Sequence, residues 1–325
     1  MAAPLTARMI DAAADLADPT TYVGRRILGL TDGPPPSGGA TGLRFAGGLH
    51  ALARKGDVPE LSAFYARKHD DAYGALAAAL AARDEWLEAW LDQPPQTNET
   101  ARAAAVMAGL LVAADRFGLP FELLELGASA GLNLNLAHYR FDLGGTLAGD
   151  AESPLSFAPE WRGSPPPTAS VRVESSRGVD MAPIMIADRE RLIAYMWIDQ
   201  PERIARVERA LAIAEAHPPR LDQGDAADWA EARLAEPRVP GVMRILFHTV
   251  ARQYFPDETR ARIDAALAAA AALATPEAPI GHLALEIDWA RGVYELRLTL
   301  WPDGETLHLA DSHPHCAWMD WHGRR

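Results

Sequence analysis

A chain of 325 residues, 49% hydrophobic and 23% charged, has room for one large or two moderate domains and the balance of an ordinary globular protein. Its 31 Lys and Arg against 44 Asp and Glu leave a net charge of -13, which argues against a broad phosphate-gripping surface and so against nucleic acid as a partner. One cysteine, Cys316, excludes an intrachain disulfide; the N-terminus meets acids before an apolar signal core forms, and no uncharged stretch has the ~20 apolar residues of a membrane span, so a cytoplasmic protein with no membrane partner is expected.

Up to Gly118 the pattern is helical. Leu61, Phe64, Tyr65, Tyr73, Leu76, Leu80, Leu87 and Trp90 recur at helical spacing, which predicts one or two amphipathic helices between Pro59 and Leu91, stopped by Pro94 and Pro95. A further helix is predicted from about Asn98, as N-cap, to Phe117, with Gly118 and Pro120 closing it. Thr31 to Gly42 is a Pro/Gly loop. After Pro120, short apolar runs alternate with helical stretches in the manner of βαβ units. Strands are predicted at Phe121 to Leu126, Val171 to Glu174 or slightly beyond, Arg220 to Gln223, Arg244 to His248, His282 to Ile287, Tyr294 to Trp301 and Thr306 to Leu309. Helices are predicted at Ala130 to Ala137, Pro183 to Trp197, Glu202 to Ala216, Ala226 to Leu234 and Asp257 to Leu273. Asp303-Gly304 marks the last two strands as an antiparallel hairpin. Tyr139 to Thr168, which holds Gly144-Gly145 and a Pro165 to Pro167 run, fits no βαβ unit and reads as an insertion.

The segment with most chemistry is Phe121 to Leu134, an apolar strand, a small-residue turn and a helix start. Glu125-x-Gly127-x-Ser129-x-Gly131 resembles the first motif of class I methyltransferases, whose acid and glycine loop lie under the methionine and ribose of S-adenosylmethionine; Ser129 stands where that motif has its middle glycine. The same turn is literally G-x-S-x-G, the elbow of serine hydrolases, with Ser129 as nucleophile. The helical rather than strand-rich chain before Phe121 favours the cofactor loop. A tight turn that binds nothing is the plainest alternative.

Later segments follow the methyltransferase order. Gly178-Val179-Asp180 resembles the second motif, in which the acid at the end of the second strand takes the ribose hydroxyls. Leu221 to Ala226 resembles the third, with Asp225 near the adenine. Either aspartate also suits a helix N-cap. Gly131 and Asp180 are 49 residues apart, where dinucleotide folds use about 20. The insertion must absorb the difference, or Asp142 or Asp150 takes the place of Asp180. Together with Gln96 to Glu99, His248, Gln253-Tyr254 and Glu295 to Pro302, these segments are similar over nearly the whole chain to an uncharacterised bacterial family, domain of unknown function 2332. That resemblance implies a methyltransferase-like domain behind an added helical region and supplies no reaction.

The expected architecture is α/β, a Rossmann-like doubly wound methyltransferase-type sheet with a C-terminal antiparallel hairpin over residues 119–325, preceded by a helical domain or cap over 1–118. The expected function is S-adenosylmethionine binding and methyl transfer to an unknown small molecule or protein. A non-catalytic cofactor-binding module and a serine hydrolase are the alternatives. Cofactor residues are Glu125, Gly127, Ser129, Gly131, Asp180 and Asp225. Gln96, Asn98 and Glu99 are the substrate-facing candidates. His248, at a central strand end, is the candidate base and Tyr254 its companion, because a near-neutral imidazole can take a proton at pH 7. Asp311, His313, His315 and Cys316, with His308 nearby, offer metal-ligand chemistry at no standard spacing, so no metal is expected.

Overall fold

The computed structural model describes residues 3–29, 41–92 and 97–323. In chain order the helices are α1 (Pro4–Asp15), α2 (Tyr22–Ile27), α3 (Thr41–Lys55), α4 (Pro59–Tyr65), α5 (Ala72–Leu91), α6 (Ala103–Phe117), α7 (Arg189–Ala194), α8 (Pro201–Ala216), α9 (Ala226–Ala235) and α10 (Asp257–Ala271). The strands are β1 (Phe121–Leu126), β2 (Arg140–Leu143), β3 (Thr146–Gly149), β4 (Ser156–Phe157), β5 (Glu160–Arg162), β6 (Val173–Asp180), β7 (Leu221–Gln223), β8 (Met243–Thr249), β9 (Ile280–Asp288), β10 (Val293–Trp301), β11 (Glu305–Ser312) and β12 (Trp318–Trp321). The chain divides into two compact units, Met1–Thr97 with Ala187–Glu208, and Asn98–Ile186 with Arg209–Arg325.

The first unit is helical. Leu49 and Leu52 of α3, Leu61 and Phe64 of α4, and Leu76 and Leu87 of α5 share one buried core, the burial that a 3.6-residue period provides. The predicted Pro59 to Leu91 stretch is two helices, parted at Arg67, whose φ is 57°. Asp199 caps α1 from a distance: its carboxylate accepts from the Leu5 and Thr6 N–H groups at 3.1 Å each, satisfying donors that a helix start leaves without intrahelical partners. The predicted Thr31 to Gly42 loop falls on residues 31–40, outside the described ones, and on the first turn of α3.

The second unit is built on a nine-stranded sheet in the order β5-β12-β11-β10-β9-β8-β1-β6-β7. Five neighbouring strands, β7-β6-β1-β8-β9, are parallel, and the chain winds outward from β1 first to one side and then to the other. From β9 the sheet continues as an antiparallel meander through β10, β11 and β12. β1 and β8 are almost wholly buried and apolar at most positions, as expected of strands covered on both faces.

The insertion accounts for the long gap between glycine loop and aspartate. β2, β3 and β4 form a separate three-stranded sheet, and β5 pairs with β12 at the far edge of the large one, before the chain returns to lie beside β1 as β6. The strand beside β1 therefore ends at Asp180. Asp142 and Asp150 sit in the insertion, accepting from the Gly145 and Glu152 N–H groups of their own turns.

Several predicted boundaries move. α6 belongs with the sheet, not with the helices before it: it is buried on nearly all sides, and a Cβ on its Gly109 would lie 2.5 Å from Leu283 of β9. Ala187–Glu208 cluster with the N-terminal helices. The predicted Ala130 to Ala137 helix is a 3-10 stretch, Leu132–His138, broken at Asn135, with Asn133 and Asn135 buried. The Pro183 to Trp197 helix shortens to a 3-10 turn and α7. Trp318 and Trp321 belong to β12, which is paired on one side with β11 and on the other with β5. The β10–β11 hairpin forms as expected, and a second one joins β9 to β10 through an Asp288 side chain that accepts from the Ala290 and Arg291 N–H groups. Among the described residues no helix is long and apolar enough to cross a membrane.

Where β6 passes the glycine loop the fit is tight: a Cβ on Gly178 would stand 2.6 Å from the Ala128 Cβ. Gly178→Ala is expected to lose about 1–3 kcal/mol by overpacking. Gly224→Ala, with nothing within 4 Å, should stay within about 0.5 kcal/mol of the parent. Urea unfolding of both variants makes the comparison, and equal midpoints would refute the close approach.

Candidate functional site

The carboxyl ends of β1, β6 and β7 come level with one another, since Leu126 pairs with Val179 and Asp180 with Gln223. The turn after β1 is strongly bent: Gly127, Ser129 and Gly131 have φ of 68°, 54° and 72°. Glycine adopts such angles without cost, while Ser129 is strained there. A Cβ on Gly127 would stand 2.8 Å from the Ala251 Cβ, and one on Gly131 2.8 Å from the Pro219 Cβ. Packing against the protein itself thus requires both glycines.

The loop is stitched on every side. Asp180 accepts from the Ser129 N–H and the Ala182 N–H, at 2.9 Å each, one per carboxylate oxygen. The Ala128 N–H donates to the Val179 carbonyl and the Leu132 N–H to the Asn98 side chain, at 3.0 and 2.9 Å. Asn98 is therefore not the predicted N-cap. Glu99 is, accepting from the Ala101 N–H at 3.2 Å, with its other oxygen 3.2 Å from Nδ1 of His315. Asp225 caps α9, accepting from the Ala227 and Asp228 N–H groups at 2.8 and 3.1 Å. Gln96 lies outside the described residues.

Beneath the loop, Glu125 is buried and hydrogen-bonded to the Asn133 side chain. Burial pushes its pKa up to about 8, against a smaller downward pull from Asn133. One Glu125 oxygen, the Ser129 hydroxyl, the Asn133 amide oxygen and the Thr100 hydroxyl are buried with no hydrogen-bond partner. Such atoms are few in folded proteins and mark places where water or ligand completes the bonding.

His248 lies at the end of β8, 1% exposed. Its Nδ1 is 2.7 Å from Glu286 and its Nε2 3.0 Å from Nε2 of His282. Both ring nitrogens are thus engaged inside the protein, which leaves no lone pair for an incoming substrate in this conformation. Burial, then the neighbouring His248 and Arg252, push His282 down to about 3. Burial raises Glu286, but the His248 bond and the Ala251 and Arg252 N–H groups outweigh it and hold the carboxyl below the usual range. The chain is carboxylate, imidazole, neutral imidazole. Arg102 runs alongside, donating to the Thr249 and Pro314 carbonyls, and burial lowers its pKa despite nearby Glu99 and Glu286. Tyr254 is 77% exposed and joins none of these bonds.

Sequence reasoning missed His282, Glu286 and Arg102. For the first two a signal was present: they stand four residues apart in a largely apolar strand, hence on one face. Arg102 had none, being one arginine among many.

Over residues 1–321 the chain matches the family described as "Uncharacterized protein conserved in bacteria (DUF2332)". The chain belongs to the DUF2332 family. A solved structure described as "DhpI-SAM-HEP complex" is similar over 64% of this chain and 75% of its own, at 16% identity and a TM-score of 0.24. No curated protein matches the chain.

The raised Glu125 pKa has a signed consequence. Between 4.5, the ordinary value, and about 8, the folded state keeps a proton that the unfolded chain has released, so this residue's contribution lowers stability with rising pH by about 1.4 kcal/mol per unit. Glu125→Gln lacks that slope. Its melting temperature relative to the parent should climb steadily across that pH window, and a constant difference would show that Glu125 is ionised when folded.

Proposed function

We propose that the DUF2332 chain binds S-adenosylmethionine at the carboxyl ends of β1, β6 and β7, on a Rossmann-like doubly wound sheet, and transfers its methyl group to a small molecule or a protein. The observation that carries the reading is the order of groups along that edge. A glycine-bordered turn closes β1, Asp180 ends the neighbouring β6, and Asp225 follows β7, at the carboxyl ends of parallel strands beside the β1–β8 boundary where the strand order reverses and such sheets take their ligands. Asp180 accepts one backbone N–H at each oxygen, which fixes a carboxylate, the acceptor that ribose hydroxyls need, at the end of β6. Asp225 spends one oxygen on its helix and keeps the other for the adenine end. The unpartnered Ser129 hydroxyl adds a polar group to the turn.

Within this reading Glu125 and Asn98 act on the loop rather than on ligand, one supporting it from below and the other holding its Leu132 N–H. The bound cofactor supplies an electrophilic methyl group; the protein's part is to align a nucleophile with it. His248, tied to Glu286 and His282, is a positioning group. Tyr254, exposed beyond the end of β8, is the candidate left to face a substrate.

A second reading rests on the positive φ of Ser129 within Gly127-Ala128-Ser129-Ala130-Gly131, the strained turn of a nucleophile elbow. Against it, the Ser129 hydroxyl is buried without a partner, and His248 spends both nitrogens elsewhere. Nucleophilic serine needs an adjacent base. A fluorophosphonate probe is expected to leave no label, and a stoichiometric adduct abolished by Ser129→Ala would install the hydrolase instead.

Calorimetric titration with S-adenosylhomocysteine and S-adenosylmethionine tests the main proposal. Binding heat and a raised melting temperature are expected. Asp180→Asn should weaken binding roughly tenfold or more by losing charge-assisted bonds, while Asp142→Ala leaves it unchanged. Neither heat nor thermal shift at millimolar ligand would remove the cofactor. Binding without methyl transfer to any acceptor in a cell extract would leave a non-catalytic cofactor module.

A further inference from the structure

The antiparallel side of the large sheet carries a polar cluster with a different construction. Glu295 of β10 lies opposite Glu286 of β9 on one side and Asp311 of β11 on the other, and Asp311 lies opposite Asp320 of β12. Four carboxylates thus cross four strands in register. Like charges in directly opposed positions repel, so the row needs positive charge. Arg291 and Arg297 supply part of it, Arg291 bonding Glu295 and both oxygens of Asp311, and Arg297 bonding Glu295.

Two imidazoles join this row through one irregularity. His308 and Asp311 are three residues apart, which in a regular strand would place them on opposite faces. A bulge makes Leu309 the extra residue, so that Leu296 pairs with Ala310 but Arg297 pairs with His308. His308 is thereby turned onto the Asp311 face, the re-aiming that bulges perform. The carbonyl of Leu309 also accepts from the His322 N–H at 2.8 Å, which brings the second ring in. His308 Nε2 lies 2.9 Å and His322 Nε2 3.6 Å from Asp311 oxygens. Ligand atoms of all three residues lie within 4.8 Å of one another. The rings meet edge to face, 74° apart, and a Glu295 oxygen stands 4.0 Å from His308 Nε2.

We propose that His308, Asp311 and His322 form a binding site for one divalent transition-metal ion of the zinc type, with Glu295 within reach of a fourth position. Two imidazole nitrogens and a carboxylate suit zinc, cobalt or nickel, whereas calcium and magnesium take oxygen sets. Tetrahedral bonds of about 2.0–2.2 Å put ligand atoms roughly 3.3 Å apart, so the three residues need only small side-chain rotations to close on an ion. Both histidine side chains are 26% exposed, which gives the ion a way in. Arg291 is the competitor for Asp311, and at 47% exposure it has room to swing into solvent. The site is separate from the cofactor edge and stands whether or not that proposal does.

The test uses the untagged full-length chain, stripped with a chelator and dialysed. Co²⁺ is titrated while visible absorption is followed, and Zn²⁺ is titrated against a chromophoric chelator. One ion per chain is expected, with ligand-field bands of a low-coordinate nitrogen and oxygen site. His322→Ala and His308→Ala should each weaken Zn²⁺ binding by tenfold or more with far-UV circular dichroism unchanged. Arg291→Ala should tighten it, a direction that a role as mere ion-pair partner does not give. His138→Ala, in the stacked His138–His217 pair elsewhere in the sheet unit, should have no effect. No binding at micromolar ion, or undiminished binding in both folded histidine variants, would overturn the site.

Discussion

One carboxylate holds the parallel half of the sheet unit in register with its loop. Asp180 terminates β6 and takes the N–H of Ser129 from the turn after β1 and the N–H of Ala182 from its own turn. Ser129 has a left-handed backbone, which costs on the order of 1 kcal/mol or more for a residue with a Cβ. Charge-assisted bonds to a carboxylate are among the stronger polar contacts a protein makes, so they can hold that strain. Gly178 then lets β6 approach Ala128 closely enough for the bond to form. The loop, the strand and the aspartate are thus one mechanical unit, and any ligand at this edge meets a preformed surface.

The groups around that unit share a second property: they are polar, buried and partly unsatisfied. Glu125 keeps its proton because burial penalises the charged carboxylate more than Asn133 compensates. Glu286, a similar acid two strands away, is ionised because an imidazole and two N–H groups face one of its oxygens. Desolvation acts on both; hydrogen bonding to the charged form decides between them. Ordered water or ligand at the unpartnered Glu125, Ser129, Asn133 and Thr100 atoms would lower the cost of burying them.

Much of this was legible in the chain. Six of the seven predicted strands and the final hairpin followed from period and turn residues, because an apolar strand and a two-residue turn each have a local signature, whereas the doubly wound order was implied by the methyltransferase resemblance. Asp180 was legible as the end of a strand, although the strand itself was drawn too early, at Val171 to Glu174; β6 carries Ser175, Ser176 and Arg177, whose polarity hid its continuation. Nothing local distinguished α6, which packs on the sheet, from the helices that form their own core. The same limit applied to Asn98, whose partner Leu132 is 34 residues away, and to His282 and Glu286, whose partner His248 lies on another strand. Local pattern reports local conformation; long-range partners are set by register, which only the assembled sheet fixes.

Register also explains why His308, Asp311 and His322 show no ligand spacing. A metal motif read from sequence assumes regular elements, and here the convergence depends on a single extra residue, Leu309, that shifts one side chain across the sheet and offers its carbonyl to the strand beyond. The same sheet links the two polar regions. Glu286, which fixes His248, is the first carboxylate of the row that continues through Glu295 to Asp311.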